Sequence, residues 1–112
     1  MTKEKVLALA PGRELDALVA EKVMGYTVHG QFREKNGVRV MIDRCSTDIS
    51  AAWEVAEQLQ KQGYVVCIEL LPYEETSVGV YEADPANQIA YAKSNKPAGA
   101  IAKAALLAVM EL

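Results

Sequence analysis

Residues 44 to 48, Arg-Cys-Ser-Thr-Asp, place a guanidinium, a thiol, two hydroxyls and a carboxylate just before a stretch with helical periodicity. The first N–H groups of a helix lack intrahelical partners, so Arg44, Ser46 and Thr47 beside them would suit a phosphate or carboxylate. The simpler reading makes Ser46 or Thr47 the cap and Arg44 a solvated cation, with Asp48 already at the positive helix end. Arg33 and Arg39 lie further out on the preceding strands, where a longer ligand could reach them. The candidate anion-binding set is therefore Arg33, Arg39, Arg44, Ser46 and Thr47. Arg13, in the "PGRE" turn, adds a weaker signal of the same kind.

Two other groupings carry possible chemistry. His29 and Asp43 are expected to face one another across a hairpin, where a carboxylate can orient an imidazole base. Neighbouring Glu74 and Glu75 could serve hydrolysis or hold a cation, although charge is ordinary in a loop between strands. Neither grouping has a nucleophile within reach, and no phosphate-binding loop, dinucleotide fingerprint, HExxH or GxSxG pattern occurs. The expectation is no catalytic residue, no metal site and no cofactor. With one histidine and only Cys45 and Cys67, a zinc site lacks ligands and a disulfide framework is not indicated.

The elements that must position these residues follow from periodicity. "PGRELDALVAEKVMG" reads as a helix with Leu15, Leu18, Val19 and Val23 on one stripe and Gly25 as its stop; a short helical turn capped by Thr2 precedes it. Residues 26 to 44 read as a hairpin around Asn36-Gly37. A three-residue loop, pairing Phe32 with Val40, gathers Val28, Phe32, Val38, Val40 and Ile42 on one face, so that register is expected over the two-residue alternative. In the helix of residues 45 to 63, Ile49, Ala52, Trp53, Ala56 and Leu59 form the expected buried stripe, and Gly63 ends it. "YVVCIELL", residues 64 to 71, is apolar almost without alternation, which predicts an interior strand covered on both faces. "SVGVYEA" and "QIAYAKS" follow as strands joined through an Asp84-Pro85 turn, and Pro97 opens a last helix.

This order predicts a three-layer α/β/α sandwich around a single mixed sheet of about five strands with an N-terminal β-hairpin. The 112 residues fit a single domain, 1–112. From Ala98 to Met110 only Gly99 and Lys103 interrupt an apolar run, and a helix apolar all round must be covered all round. A second copy is the expected cover, through Ile101, Ala105, Leu106, Val109 and Leu112, making the protein a homo-oligomer. A net charge of −3 and a pI near 5.2 argue against broad nucleic-acid or membrane-surface binding. Reduced cysteines and the absence of a signal-like start or spanning run point to the host cytoplasm.

"PGRELDALVAEKVMG", "STDISAAWEVAEQL" and "AIAKAALLAVMEL" together resemble the small phage and prophage proteins of bacilli that carry the phage ABA sandwich domain, along residues 1 to 111 in the same order. The resemblance implies a three-layer sandwich and brings no established chemistry. "VHGQFREKNGVRVMIDR" and "DPANQIAYAKSNKPAG" depart from the family pattern, so a relative's ligand would not transfer through them. The expected function is that of a phage-encoded non-enzymatic binding protein. It would sequester a small anionic, nucleotide-like ligand or a host protein, as a counter-defence or accessory factor. A small hydrolase using His29 and Asp43 or Glu74 and Glu75, and a virion structural or assembly protein, are the alternatives.

Overall fold

The structure, a computed structural model, describes residues 1–83 and 86–111. The elements run α1 (Lys3–Ala8), α2 (Arg13–Lys22), β1 (Thr27–His29), β2 (Phe32–Lys35), β3 (Val38–Met41), α3 (Ile49–Lys61), β4 (Tyr64–Glu69), β5 (Thr76–Ala83), β6 (Ala86–Ser94) and α4 (Pro97–Met110). This is a mixed α/β fold. Instead of one mixed sheet of about five strands carrying a hairpin, the chain forms two separate three-stranded antiparallel sheets, β1-β2-β3 and β4-β5-β6.

Turn chemistry decides the first sheet. Asn36 and Gly37 both have positive φ, 54° and 81°, the type I′ requirement for a two-residue hairpin turn. Phe32 consequently pairs with Met41 and Arg33 with Val40, one residue away from the expected register. Phe32 thus shares a face with Met41, while Val28, Val38 and Val40 occupy the other. A second tight turn was not anticipated: Gly30, at φ 61°, closes β1 onto β2 with His29 opposite Phe32. The expected apolar face therefore loses Phe32 and keeps Val28, Val38 and Val40. Every residue of β3 is exposed.

The second sheet holds the core. Val78, Val80, Ala90 and Ala92 of β5 and β6 are buried against α4. The far side of α4 is closed by α1, α2 and α3, so its apolar circumference is covered within one chain. Ile101, Ala105 and Leu106 are at most 1% exposed and cannot form an interface with another copy. Val109 is half-buried, and Leu112 lies outside the described residues, as does the expected Asp84-Pro85 turn. Lys103, buried in the same helix, donates its Nζ–H to the carbonyl of Leu7 at 3.1 Å, near the C-terminal end of α1 where a cation is favoured.

β4 is an edge strand, which corrects the expectation of an interior one. Among the described residues it pairs only with β5, and it alternates half-buried Tyr64, Val66 and Ile68 with exposed Val65, Cys67 and Glu69. The apolar run is continuous because both faces carry apolar residues, yet the outer face has no cover. On that face the Tyr81 ring lies against Gly79, where an added Cβ would sit 2.9 Å from the ring. No helix among the described residues is long and apolar enough to cross a membrane.

Candidate functional site

Two turns come together at the start of α2. Asp48, rather than Ser46 or Thr47, caps α3, its carboxylate accepting the Ser50 N–H at 2.9 Å. That frees residues 44 to 47 to form a turn of their own, in which the N–H groups of Thr47 and Asp48 both donate to the Arg44 carbonyl. Ser46 is buried and acts as a clamp. Its Oγ accepts the Gly12 N–H at 2.9 Å, and its own N–H donates to Asp16 Oδ1 at 2.8 Å. The Cys45 thiol donates to the same oxygen, with Sγ 3.6 Å away. Burial first, and then the neighbouring Asp16 charge, push the Cys45 thiol far up from its ordinary value, so it stays protonated and unreactive.

The clamp fixes a cavity of about 330 Å³ between the 12–13 turn and the 44–47 turn. Arg13, Arg44 and Thr47 line it, together with the Asp16 carboxylate. Gly30 and Gln31 from the β1–β2 turn, with Met41 and Ile42 at the end of β3, form the opposite wall. α2 begins here at Arg13 with Gly12 as its N-cap and no side-chain cap. Its first-turn N–H groups therefore add positive potential to the two guanidiniums. Asp16 is the one acidic side chain in the lining, and one of its oxygens already receives two donors.

Of the five anion-site residues expected from sequence, the structure brings Arg44 and Thr47 to this cavity. Ser46 shapes it from behind. Arg33 and Arg39 are elsewhere and engaged. Arg33 Nε faces Asp43 Oδ2 at 3.1 Å and its guanidinium stacks 4.1 Å from the Tyr26 ring, while Arg39 Nη2 pairs with Glu34 at 3.2 Å. Arg33 and Arg39 are not cross-strand partners: Val40 is the residue opposite Arg33, and Glu34 the one opposite Arg39. His29 and Asp43 do not meet either. His29 Nε2 lies 4.0 Å from Glu34, and Asp43 belongs to Arg33. Glu74 and Glu75 are exposed in the β4–β5 loop, and no group of three or more metal-type ligands occurs among the described residues. Arg13 had a legible signal in its place at a helix start. Gly30 and Gln31 had none until the β1–β2 turn was known.

Trp53, expected in the core, is 55% exposed. The buried line of α3 runs through Ala52, Val55, Ala56 and Leu59, leaving Ile49 and Trp53, one turn apart, on its flank. Trp53 instead lines a groove of about 420 Å³ along β4.

The chain is similar to a phage protein from Bacillus cereus ATCC 14579, known from a 2.0 Å crystal structure, at 29% identity and a TM-score of 0.77, over 91% of this chain and 94% of that one. None of the curated proteins matches it. The sequence profile of the phage ABA sandwich domain matches residues 17–106, most of the chain. The chain belongs to the phage ABA sandwich domain family.

Proposed function

We propose that this protein is a phage-encoded, non-enzymatic binding protein that holds a small anionic ligand of nucleotide type in the cavity between α2 and the 44–47 turn. The observation that carries this reading is the pairing of Arg13 and Arg44 with Thr47 around a cavity of about 330 Å³ at an uncapped helix start. Sites of roughly 300–1,000 Å³ with a few fixed polar groups are the usual form of small-ligand pockets. Met41 and Ile42 offer an apolar wall for a base or similar ring, and the Gln31 amide offers a donor and an acceptor. Binding without turnover is supported by the engagement of Ser46 in the clamp, of the Cys45 thiol in a buried hydrogen bond and of Asp16 Oδ1 by two donors. In a phage protein, binding without turnover suits sequestration of a host signal as a counter-defence or accessory activity.

The test is mass spectrometry of small molecules that survive purification from host lysate, followed by titration calorimetry with the nucleotide found. A stoichiometric nucleotide is expected. A charge-assisted hydrogen bond is worth about 1.5–3 kcal/mol, so Arg44→Ala should weaken binding roughly ten- to a hundredfold with an unchanged melting temperature. A nucleotide consumed on incubation would replace this reading with a hydrolase. Affinity unaltered in both Arg13→Ala and Arg44→Ala would remove the site.

A further inference from the structure

We propose that the open edge of β4 is a strand-addition site for a protein partner, and that its occupant is an extended segment with apolar side chains at alternate positions and basic ones between them. Residues 64–69 make no backbone hydrogen bonds beyond those to β5 among the described residues, so alternate N–H and C=O groups point outward unpaired. Such a row is a template for pairing with another strand.

The two edges of this sheet are treated differently. β6 carries Lys93, and its inward residues Ala90 and Ala92 are covered by α4. Lysine is a common guard against edge pairing. β4 has no such guard, and its inward residues Tyr64, Val66 and Ile68 are only half covered by α3. The groove of about 420 Å³ that follows this edge takes lining from both faces of the strand, Val65 on one and Tyr64, Val66 and Ile68 on the other. Trp53 stands over it from α3, a residue type that dominates binding energy when a partner buries it.

Charge selects the partner. The groove and the shallower one beside it contain Glu54 and Glu57 and no cation. Along the chain, residues 62 to 92 contain no lysine or arginine, while Glu69, Glu74, Glu75, Glu82 and Asp84 all fall within them. A second copy docking by this edge would set acidic residues against acidic residues. A basic strand would instead lay its apolar side chains in the groove and extend its cations on the other face, towards Glu69.

The experiment uses the full chain, isotopically labelled, and a nine-residue peptide alternating valine and lysine, with an alternating valine–glutamate peptide as its counterpart. The lysine peptide should shift amides of residues 64–69 in nuclear magnetic resonance spectra, slow the exchange of alternate ones, and bind more weakly as salt is raised. Trp53→Ala, which removes an exposed side chain and leaves the fold intact, should weaken it about tenfold or more. The proposal is overturned if about 1 mM lysine peptide leaves those amides unmoved, or if the glutamate peptide binds equally well. It is also overturned if light scattering finds a dimer whose β4 amides are protected without peptide, which would give the edge to a second copy.

Discussion

The two sheets of this protein have the same strand count and the same antiparallel pairing, yet they are stabilised by different physics. β4-β5-β6 buries one face on α4, and its inner residues on β5 and β6 are nearly all inaccessible. β1-β2-β3 leaves Phe32, Val38 and Met41 exposed at 44%, 63% and 59%. It is held by two tight turns, by the Arg33–Asp43 and Arg39–Glu34 pairs and by the cations stacked on Tyr26. Burial makes β4-β5-β6 a scaffold. β1-β2-β3 is a projecting wall, and its rim, at Gly30, Gln31, Met41 and Ile42, closes the candidate ligand cavity.

Truncations should separate the two regimes by the widest margin. Leu106 is fully buried where α4 meets its neighbours, and Leu106→Ala should cost about 2–5 kcal/mol by the lost burial and the residual cavity. Val38→Ala, an apolar truncation on the projecting sheet, should change stability by less than about 0.5 kcal/mol. Denaturant unfolding of both variants checks the contrast. Comparable losses would show that the small sheet has a core of its own.

Gly99 sharpens the account of the scaffold side. An added Cβ would sit 2.6 Å from the Ser94 Oγ at the end of β6 and 3.3 Å from the Pro11 ring. Gly99→Ala gains helix propensity, but overpacking should outweigh it, for a net cost of about 1–3 kcal/mol. Adding Ser94→Ala removes the nearer clash and should restore part of the loss. Thermal unfolding of the single and double variants decides it.

The two cysteines report the same division chemically. Cys67 is exposed on the uncovered face of β4, and Cys45 is buried against Asp16. A disulfide-exchange reagent at neutral pH should label Cys67 in the native protein and Cys45 only after unfolding. The native Cys45 thiol titrates above its ordinary value of 9.0, so the folded state holds this proton more tightly than the unfolded one. Its contribution to stability is therefore complete below pH 9 and declines as pH rises beyond it. Cys45→Ala should flatten that alkaline decline in urea midpoints measured from about pH 8 to about pH 10.5, a range that brackets the ordinary value of 9.0.

The helices were largely legible because caps and stripes are local: Thr2 at α1, Leu15 and Val19 on α2, Gly63 after α3 and Pro97 opening α4 all sit where the sequence places them. What failed depended on neighbours distant in the chain. "YVVCIELL" has the pattern of a strand covered on both faces, and nothing within it says that one face goes uncovered. α4 does need cover all round, but α1, α2 and α3 supply it without a second copy. Trp53 has core spacing, and only the direction from which α4 approaches α3 leaves it outside. The hairpin register departs from the apolar pattern for another reason: gathering apolar residues on one face matters only where that face is buried. On the projecting sheet it is not, and the Asn36-Gly37 turn prevailed. Half of the candidate cavity was readable, at Arg13, Arg44 and Thr47. The other half comes from a glycine turn whose geometry is tertiary information.

The smallest effect expected is also the most direct probe of the projecting sheet. Arg39 donates from both Nε and Nη2 to one Glu34 oxygen, at 3.3 and 3.2 Å, and the two residues face one another across β2 and β3. Cross-strand pairs of opposite charge contribute about 0.2–1 kcal/mol, and exposed ion pairs fall at the lower end because water and salt screen them. His29 lies 4.0 Å from the other Glu34 oxygen, so removing Glu34 affects two potential partners and removing Arg39 only one. A double-mutant cycle of Glu34→Gln and Arg39→Gln should therefore give a coupling energy below about 1 kcal/mol, falling as sodium chloride is raised from low to molar concentration. The same cycle on Arg33 and Asp43 should give more, because Arg33 is only 21% exposed and its guanidinium is also held on Tyr26. Equal couplings in the two cycles, or a salt-independent one at Arg39, would mean that the two faces of this sheet are equally wet and that its ion pairs are not what orders it. A larger coupling at Arg33 would locate the sheet's anchorage on the face that stacks against Tyr26, the residue through which β1 follows from α2.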